Sequence, residues 1–95
     1  MLFVIHAYDY TDNQALERRL AARANHLDRV RELKTNGHFV IGGALLGSEN
    51  QMIGSMIVVD FADEVQMRQW LENDPYVTGQ VWETIDIKPF RKADV

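Results

Sequence analysis

Leu2-Phe3-Val4-Ile5-His6-Ala7-Tyr8 is short and rich in branched and aromatic residues, so it reads as a β-strand. Alternation sends Phe3, Ile5 and Ala7 one way and Leu2, Val4 and Tyr8 the other. Both faces are apolar, which places the strand inside a sheet. Ser55 to Phe61 behaves in the same way: Ile57, Val59 and Phe61 share one face, Met56 and Val58 the other. The first and third strands of the chain are therefore expected at the centre of the sheet.

Between them, Asn13 to Thr35 reads as a long helix, with Thr11 and Gln14 in the form of a capping box. Leu16, Leu20, Ala24, Leu27 and Val30 recur at helical spacing and form its expected core stripe. Asn36-Gly37 ends it, because glycine readily takes the left-handed turn after a helix. Phe39 to Leu46 is the second strand and contains Gly42-Gly43, a pattern that marks a bulge or a close approach to the backbone. A polar hairpin loop, Gly47 to Gln51, follows. Asp63 with Gln66 starts a second helix, whose stripe is Met67, Trp70 and Leu71. Pro75 stops that helix near Asn73, and Asp74-Pro75 starts a further turn closed by Gly79. Val81 to Phe90 is a half-exposed edge strand, with Val81, Ile85 and Ile87 inward and Trp82, Thr84, Asp86 and Lys88 outward; a polar tail ends the chain.

The order strand, helix, strand, strand, helix, strand is the βαββαβ pattern of a ferredoxin-like α+β fold with a four-stranded antiparallel sheet, in one domain over residues 1–95. Two helices cover one face of such a sheet. The other face carries Leu2, Val4, Tyr8, Met56 and Val58, with Phe39 or Ile41. That apolar area predicts a homodimer joined through the open sheet face.

With 10 basic and 14 acidic residues the formal charge is -4, and there is no basic stripe to neutralise phosphates, which argues against nucleic acid. Arg18, Arg19, Arg23, Arg29 and Arg31 do gather on one helix, but Glu17, Asp28 and Glu32 interleave with them. They read as a solvated face with local ion pairs. The absence of cysteine excludes disulfides, thiolate metal sites and thiol nucleophiles. No leader pattern and no apolar run of membrane length is present, so a soluble cytoplasmic protein is expected.

His26 is the first candidate for chemistry, because imidazole gives and takes protons near neutrality. Beside the core residue Leu27 it lies at the edge of a buried surface; one backbone hydrogen bond would also account for a helical histidine. Asp74 is the second. It can cap the turn at Pro75 with one oxygen and keep the other free to hold an imidazole N–H, which orients the ring and favours its charged form. Arg23, three residues before His26, can clamp a carboxylate or pair with a surface acid. Tyr76 can present its hydroxyl to a pocket or pack the turn, and Gly42-Gly43 can open main-chain N–H groups to a ligand. His6 and His38 read as structural. No His and carboxylate cluster at metal-binding intervals predicts a metal site, and no phosphate loop or cofactor motif is present.

Taken together, Arg23-x-x-His26-Leu27, Leu33 with Gly37, Gly42-Gly43, Asp74-Pro75-Tyr76 with Gly79, and Lys88-Pro89-Phe90 resemble the YciI-like (YCII-related) proteins over nearly the whole chain. The resemblance implies a ferredoxin-like subunit of the dimeric α+β barrel type. It also implies a pocket at a His and an Asp, which fall on His26 and Asp74. One branch of that family includes a dehydrochlorinase of chlorinated aromatic breakdown. Many relatives carry proline after the strand glycine, whereas this chain reads Gly42-Gly43-Ala44, which loosens that wall and leaves the substrate open.

The expected function is cofactor-independent acid/base chemistry by His26 and Asp74, of the elimination, dehalogenation or isomerisation type. The expected ligand is a small anionic or aromatic molecule held by Arg23, Gly42, Gly43 and Tyr76. The alternatives are a non-catalytic dimeric metabolite-binding module and an accessory subunit of a larger enzyme.

Overall fold

A computed structural model describes residues 1–95. The strands are β1 (Leu2–Asp9), β2 (Phe39–Leu46), β3 (Met52–Asp60) and β4 (Trp82–Phe90); the helices are α1 (Ala15–Thr35), α2 (Glu64–Glu72) and the short α3 (Pro75–Thr78). All pairings are antiparallel, in the order β2-β3-β1-β4. β1 and β3 are thus the inner strands, as their two apolar faces require. The architecture is the ferredoxin-like α+β fold, the subunit type from which dimeric α+β barrels are built.

The helices lie on the face of Phe3, Ile5, Ala7, Ile57 and Val59, which are almost wholly buried. Leu33 of α1, Met67 and Leu71 of α2, and Tyr76 of α3 join this core, together with Phe61, Val81 and Trp82. At the end of α1 the predicted glycine turn is present: Gly37 has φ +80, and the His38 N–H donates back to the Leu33 carbonyl at 2.9 Å. Asp63 caps α2 by accepting the Gln66 N–H at 2.9 Å. No helix is long and apolar enough to cross a membrane.

Five local expectations are corrected. No Thr11–Gln14 capping box forms; helix α1 starts at Ala15, and Asp12 accepts the Gln14 N–H while a bidentate pair with Arg18, 2.8 Å on each arm, holds it. The predicted stripe of α1 is also displaced. The buried face is Ala15, Arg19, His26 and Leu33, while Leu16 and Leu20 are exposed by 47% and 55% and Ala24 is exposed too. At about 100° per residue the predicted stripe lies roughly a third of a turn to one side. Its far end, Leu27 and Val30, is half-buried over β2 instead. Trp82 is buried rather than outward, because a register shift between Tyr8 and Asp9 reverses the alternation at that end of β4. Strand β3 begins at Met52, three residues before Ser55. Finally, β2 shifts register between Phe39 and Ile41 and between Leu45 and Leu46, not at the glycines, where the other reading, close backbone approach, holds for Gly42; the first shift turns Phe39 into the core and leaves Ile41 on the open face.

Candidate active site

Helix α1 crosses the sheet so that His26 reaches α3. Its Nδ1 lies 2.7 Å from Asp74 Oδ2, across 48 residues of sequence. The Asp74 side chain is fully buried and that of His26 is 7% exposed. An ionised carboxylate only accepts, so Nδ1 carries the shared proton, and in the neutral ring Nε2 is the free lone pair. Nε2 has no hydrogen-bond partner in the chain and is not a buried orphan, and His26 lines a cavity. Tyr76 stacks on the other side of the imidazole, centroids 3.8 Å apart and planes at 12°, and Trp82 meets it edge-on at 5.8 Å. The ring is thus held by one carboxylate, one stacked aromatic ring and one edge-on aromatic contact.

Asp74 is more heavily engaged than expected. The free oxygen anticipated beside the cap does not exist. Oδ2 accepts both His26 and the Tyr76 N–H, the latter at 3.0 Å; Oδ1 accepts Arg29 Nη1 at 3.1 Å. Arg29 is anchored in turn by donation to the Trp70 carbonyl at 3.0 Å. A buried carboxylate is costly unless paired and hydrogen-bonded, and here three donors, two from α1 and one from α3, meet that need.

The arginine-rich face of α1 is likewise not the set of local pairs expected. Only Arg31 with Asp28 fits that description, at 2.8 Å and exposed. Arg18 reaches Asp12, Arg29 reaches Asp74, and Arg19 lies in the core. Arg19 Nη1 donates to both oxygens of Asp9 at 2.8 and 2.9 Å, and its Nη2 donates to Ser55 Oγ at 2.9 Å. Ser55 Oγ also accepts Trp82 Nε1 at 3.1 Å. The Arg19 guanidinium lies 4.8 Å from the centre of the Tyr76 ring, so that ring separates it from the imidazole. Burial pushes the Asp9 carboxyl up despite the pull of Arg19. Burial likewise pushes the Tyr76 phenol up, against Arg19 and Arg23.

Between α1 and the β2–β3 edge is a cavity of about 110 Å³, open at one side. Its walls include Arg19, Arg23, His26, Leu27, Gly42, Gly43, Ser55 and Tyr76. A ~150 Å³ apolar cavity holds benzene, so this space suits a molecule of one small ring or less at its closed end. Arg23 stands exposed at its wall and makes no ion pair; the surface pairing considered for it is absent. Gly42 is packed tightly, since a Cβ there would stand 2.9 Å from the Met56 carbonyl oxygen, whereas one on Gly43 would meet nothing within 4 Å. His38 stacks on Phe61 and its Nδ1 bonds the Asp60 carbonyl at 2.7 Å, away from the cavity; His6 lies edge-on to Tyr8 on the open sheet face. No group of three or more His, Cys, Asp or Glu is placed to hold a metal.

Arg19, Ser55, Asp9 and Trp82 escaped the sequence reading. Two signals were available. Arg19 and His26 fall in helical phase with Ala15, Ala22 and Leu33, and Ser55 is the one polar inward residue of an otherwise apolar strand.

A small ferredoxin-like protein with a buried His–carboxylate pair beside a cavity between its first helix and its sheet is the class these features define. The chain belongs to the YCII-related domain family, whose model matches residues 1–91. Protein YciI of Escherichia coli and that of Shigella flexneri are each 33% identical to it over 99 residues, covering 98% of this chain and 99% of theirs. An uncharacterized protein of Haemophilus influenzae is 32% identical over the same span. Among solved structures, a 5-chloro-2-hydroxyhydroquinone dehydrochlorinase of Burkholderia phenoliruptrix, in complex with 2,5-dihydroxybenzoquinone, superposes with a TM-score of 0.86 at 23% identity, covering 98% of this chain and 96% of that one. A protein of Agrobacterium tumefaciens superposes with a TM-score of 0.50 at 11% identity, over 98% and 94% of the two chains. At these identities the structural likeness is one of fold.

Proposed function

We propose that this chain is a cofactor-independent small-molecule enzyme in which His26 moves the proton and Asp74 orients it. The observation that carries the reading is the 2.7 Å contact between Nδ1 and Asp74 Oδ2, which leaves Nε2 as the base beside the cavity. In an elimination, Nε2 takes a proton from a substrate C–H or O–H. The freed electron pair forms a new π bond while the leaving group, a halide in dehalogenation, departs with its bonding pair. The imidazolium then returns the proton to solvent. In an isomerisation it returns the proton to another carbon of the same molecule. Arg23, Tyr76 and the backbone at Gly42 and Gly43 border the space a small anionic or aromatic substrate would take.

Chlorinated hydroxyhydroquinones are the first substrates to try, given what the similarly folded Burkholderia protein acts on. Chloride release is the readout. His26→Gln is expected to lower kcat by about 10²–10⁴, the range general acid–base catalysis contributes. Equal rates from the variant and the parent would overturn the proposal.

The second reading, a metabolite-binding module or accessory subunit, is favoured by the saturation of Asp74. Its bonds to His26, Arg29 and Tyr76 tie α1 to α3, so the pair braces the fold whether or not it reacts. A ligand that raises Tm unchanged, and does so equally in His26→Gln, would select this reading.

Both readings include a homodimer through the open sheet face. Ile41, 58% exposed, and Tyr8 stand beside half-buried Leu2, Val4 and Met56 there. The β4 side of that face carries Asp86 and Lys88, paired at 3.0 Å. The apolar part therefore lies over β2, β3 and β1, and a second subunit would seat on that part.

A further inference from the structure

No carboxylate lines the cavity; of its polar members Arg19, Arg23, Ser55 and Tyr76 carry donors, and His26 presents its bare Nε2. Arg19 and Ser55 are buried, and each keeps a donor the fold leaves unused. Arg19 is only 2% exposed, yet its Nε–H is buried with no acceptor. Ser55 Oγ already accepts from Arg19 Nη2 and Trp82 Nε1. Both its lone pairs are then occupied, so its own O–H must point elsewhere, and the chain offers it no acceptor. Asp9 takes both its bonds from Arg19 Nη1, which turns its charge away from Nε. A buried donor is rarely left unpaired without a reason, and here the two belong to hydrogen-bonded neighbours that both line one cavity.

We propose that Arg19 and Ser55 form an oxyanion subsite on the buried wall of the cavity, which receives an anionic oxygen of a small one-ring ligand, phenolate or carboxylate. Arg23, exposed at the same cavity, attracts the charge, and Arg19 and Ser55 fix its position. Tyr76 assists: its phenol is a donor at neutral pH, and burial pushes its titration further up. The subsite deepens the enzyme reading by naming its substrate class, and rests on that reading only for the base that would stand across from the anion.

Binding of 4-nitrophenolate and benzoate to the full chain, by absorbance and calorimetry, tests the subsite, with 4-nitroanisole and benzyl alcohol as neutral counterparts. The anions are expected to bind at least about tenfold more tightly than the neutral molecules, and whichever anion binds better names the source. Ser55→Ala and Arg19→Lys should each weaken anion binding by about tenfold or more, the size of one hydrogen bond to a charged group. Arg19→Lys keeps a cation for Asp9, so its melting curve should show a folded protein even if Ser55→Ala does not. In Arg23→Gln the loss should be smaller and should fade as salt is raised. No preference for anions, or a loss confined to Arg23→Gln, would overturn the subsite. If the Arg19 and Ser55 effects hold while His26→Gln leaves turnover unchanged, the subsite stands and the acid/base reading alone falls.

Discussion

At the scale of single residues, the site depends on charges taken out of water and then paired. Asp9 and Arg19 are the clearest case. Asp9→Ala would strand the guanidinium in the core and is expected to cost about 3–5 kcal/mol of stability, measured by urea unfolding at pH 7; a cost under 1 kcal/mol would show that the pair is dispensable. The His26–Asp74 contact was legible because a helical histidine and a proline-linked aspartate stood out, and because the motif set resembled a known family. The second network was not. Arg19 sits in a run of arginines and acids that reads as solvated, and its partners lie in β1 and β3, so nothing near it in sequence reveals that it is buried.

At the scale of elements, apolar counting and burial disagreed on α1. The stripe Leu16, Leu20, Ala24, Leu27 and Val30 holds five apolar residues against three, Ala15, Ala22 and Leu33, on the true inner face. The inner face could be polar because Asp9, Ser55 and Asp74 stand ready to satisfy it. The start of α1 gives a pH test. Arg18 holds the Asp12 carboxyl far below its ordinary value of 3.8. A depressed acid stabilises the fold above its unfolded pKa, and that contribution is lost as pH falls. The stability difference between the parent and Asp12→Asn should therefore be present at pH 7 and shrink below about pH 4; a difference that grows in acid would contradict the pairing. In β2, Gly42→Ala should destabilise by about 1–3 kcal/mol through overpacking against the Met56 carbonyl, whereas Gly43→Ala should change stability by about 0.5 kcal/mol or less. Thermal unfolding of the two variants compares them directly.

At the scale of the whole molecule, the strand order was readable because the βαββαβ order puts the first and third strands at the centre, and β1 and β3 carry apolar residues on both faces as that place requires. What alternation could not supply was its own interruptions. The shifts at Tyr8/Asp9 and Phe39/Ile41 reverse which residues face the core, and Trp82 and Phe39 enter it through them. The open face remains the largest consequence of the fold. Ile41→Glu places a charge at its most exposed apolar position without touching the core. Sedimentation equilibrium should show a dimer for the parent and a monomer for this variant. An unchanged dimer would move the interface elsewhere.

Asp74 holds Nδ1–H of His26, which leaves Nε2 to the cavity. Long-range nitrogen-15 spectra of the His26 ring report it directly. A protonated Nδ1 and a bare Nε2 are expected in the neutral ring, with the Nε2 signal moving when 4-nitrophenolate or benzoate fills the cavity. A proton on Nε2, or an Nε2 signal indifferent to a bound ligand, would contradict it.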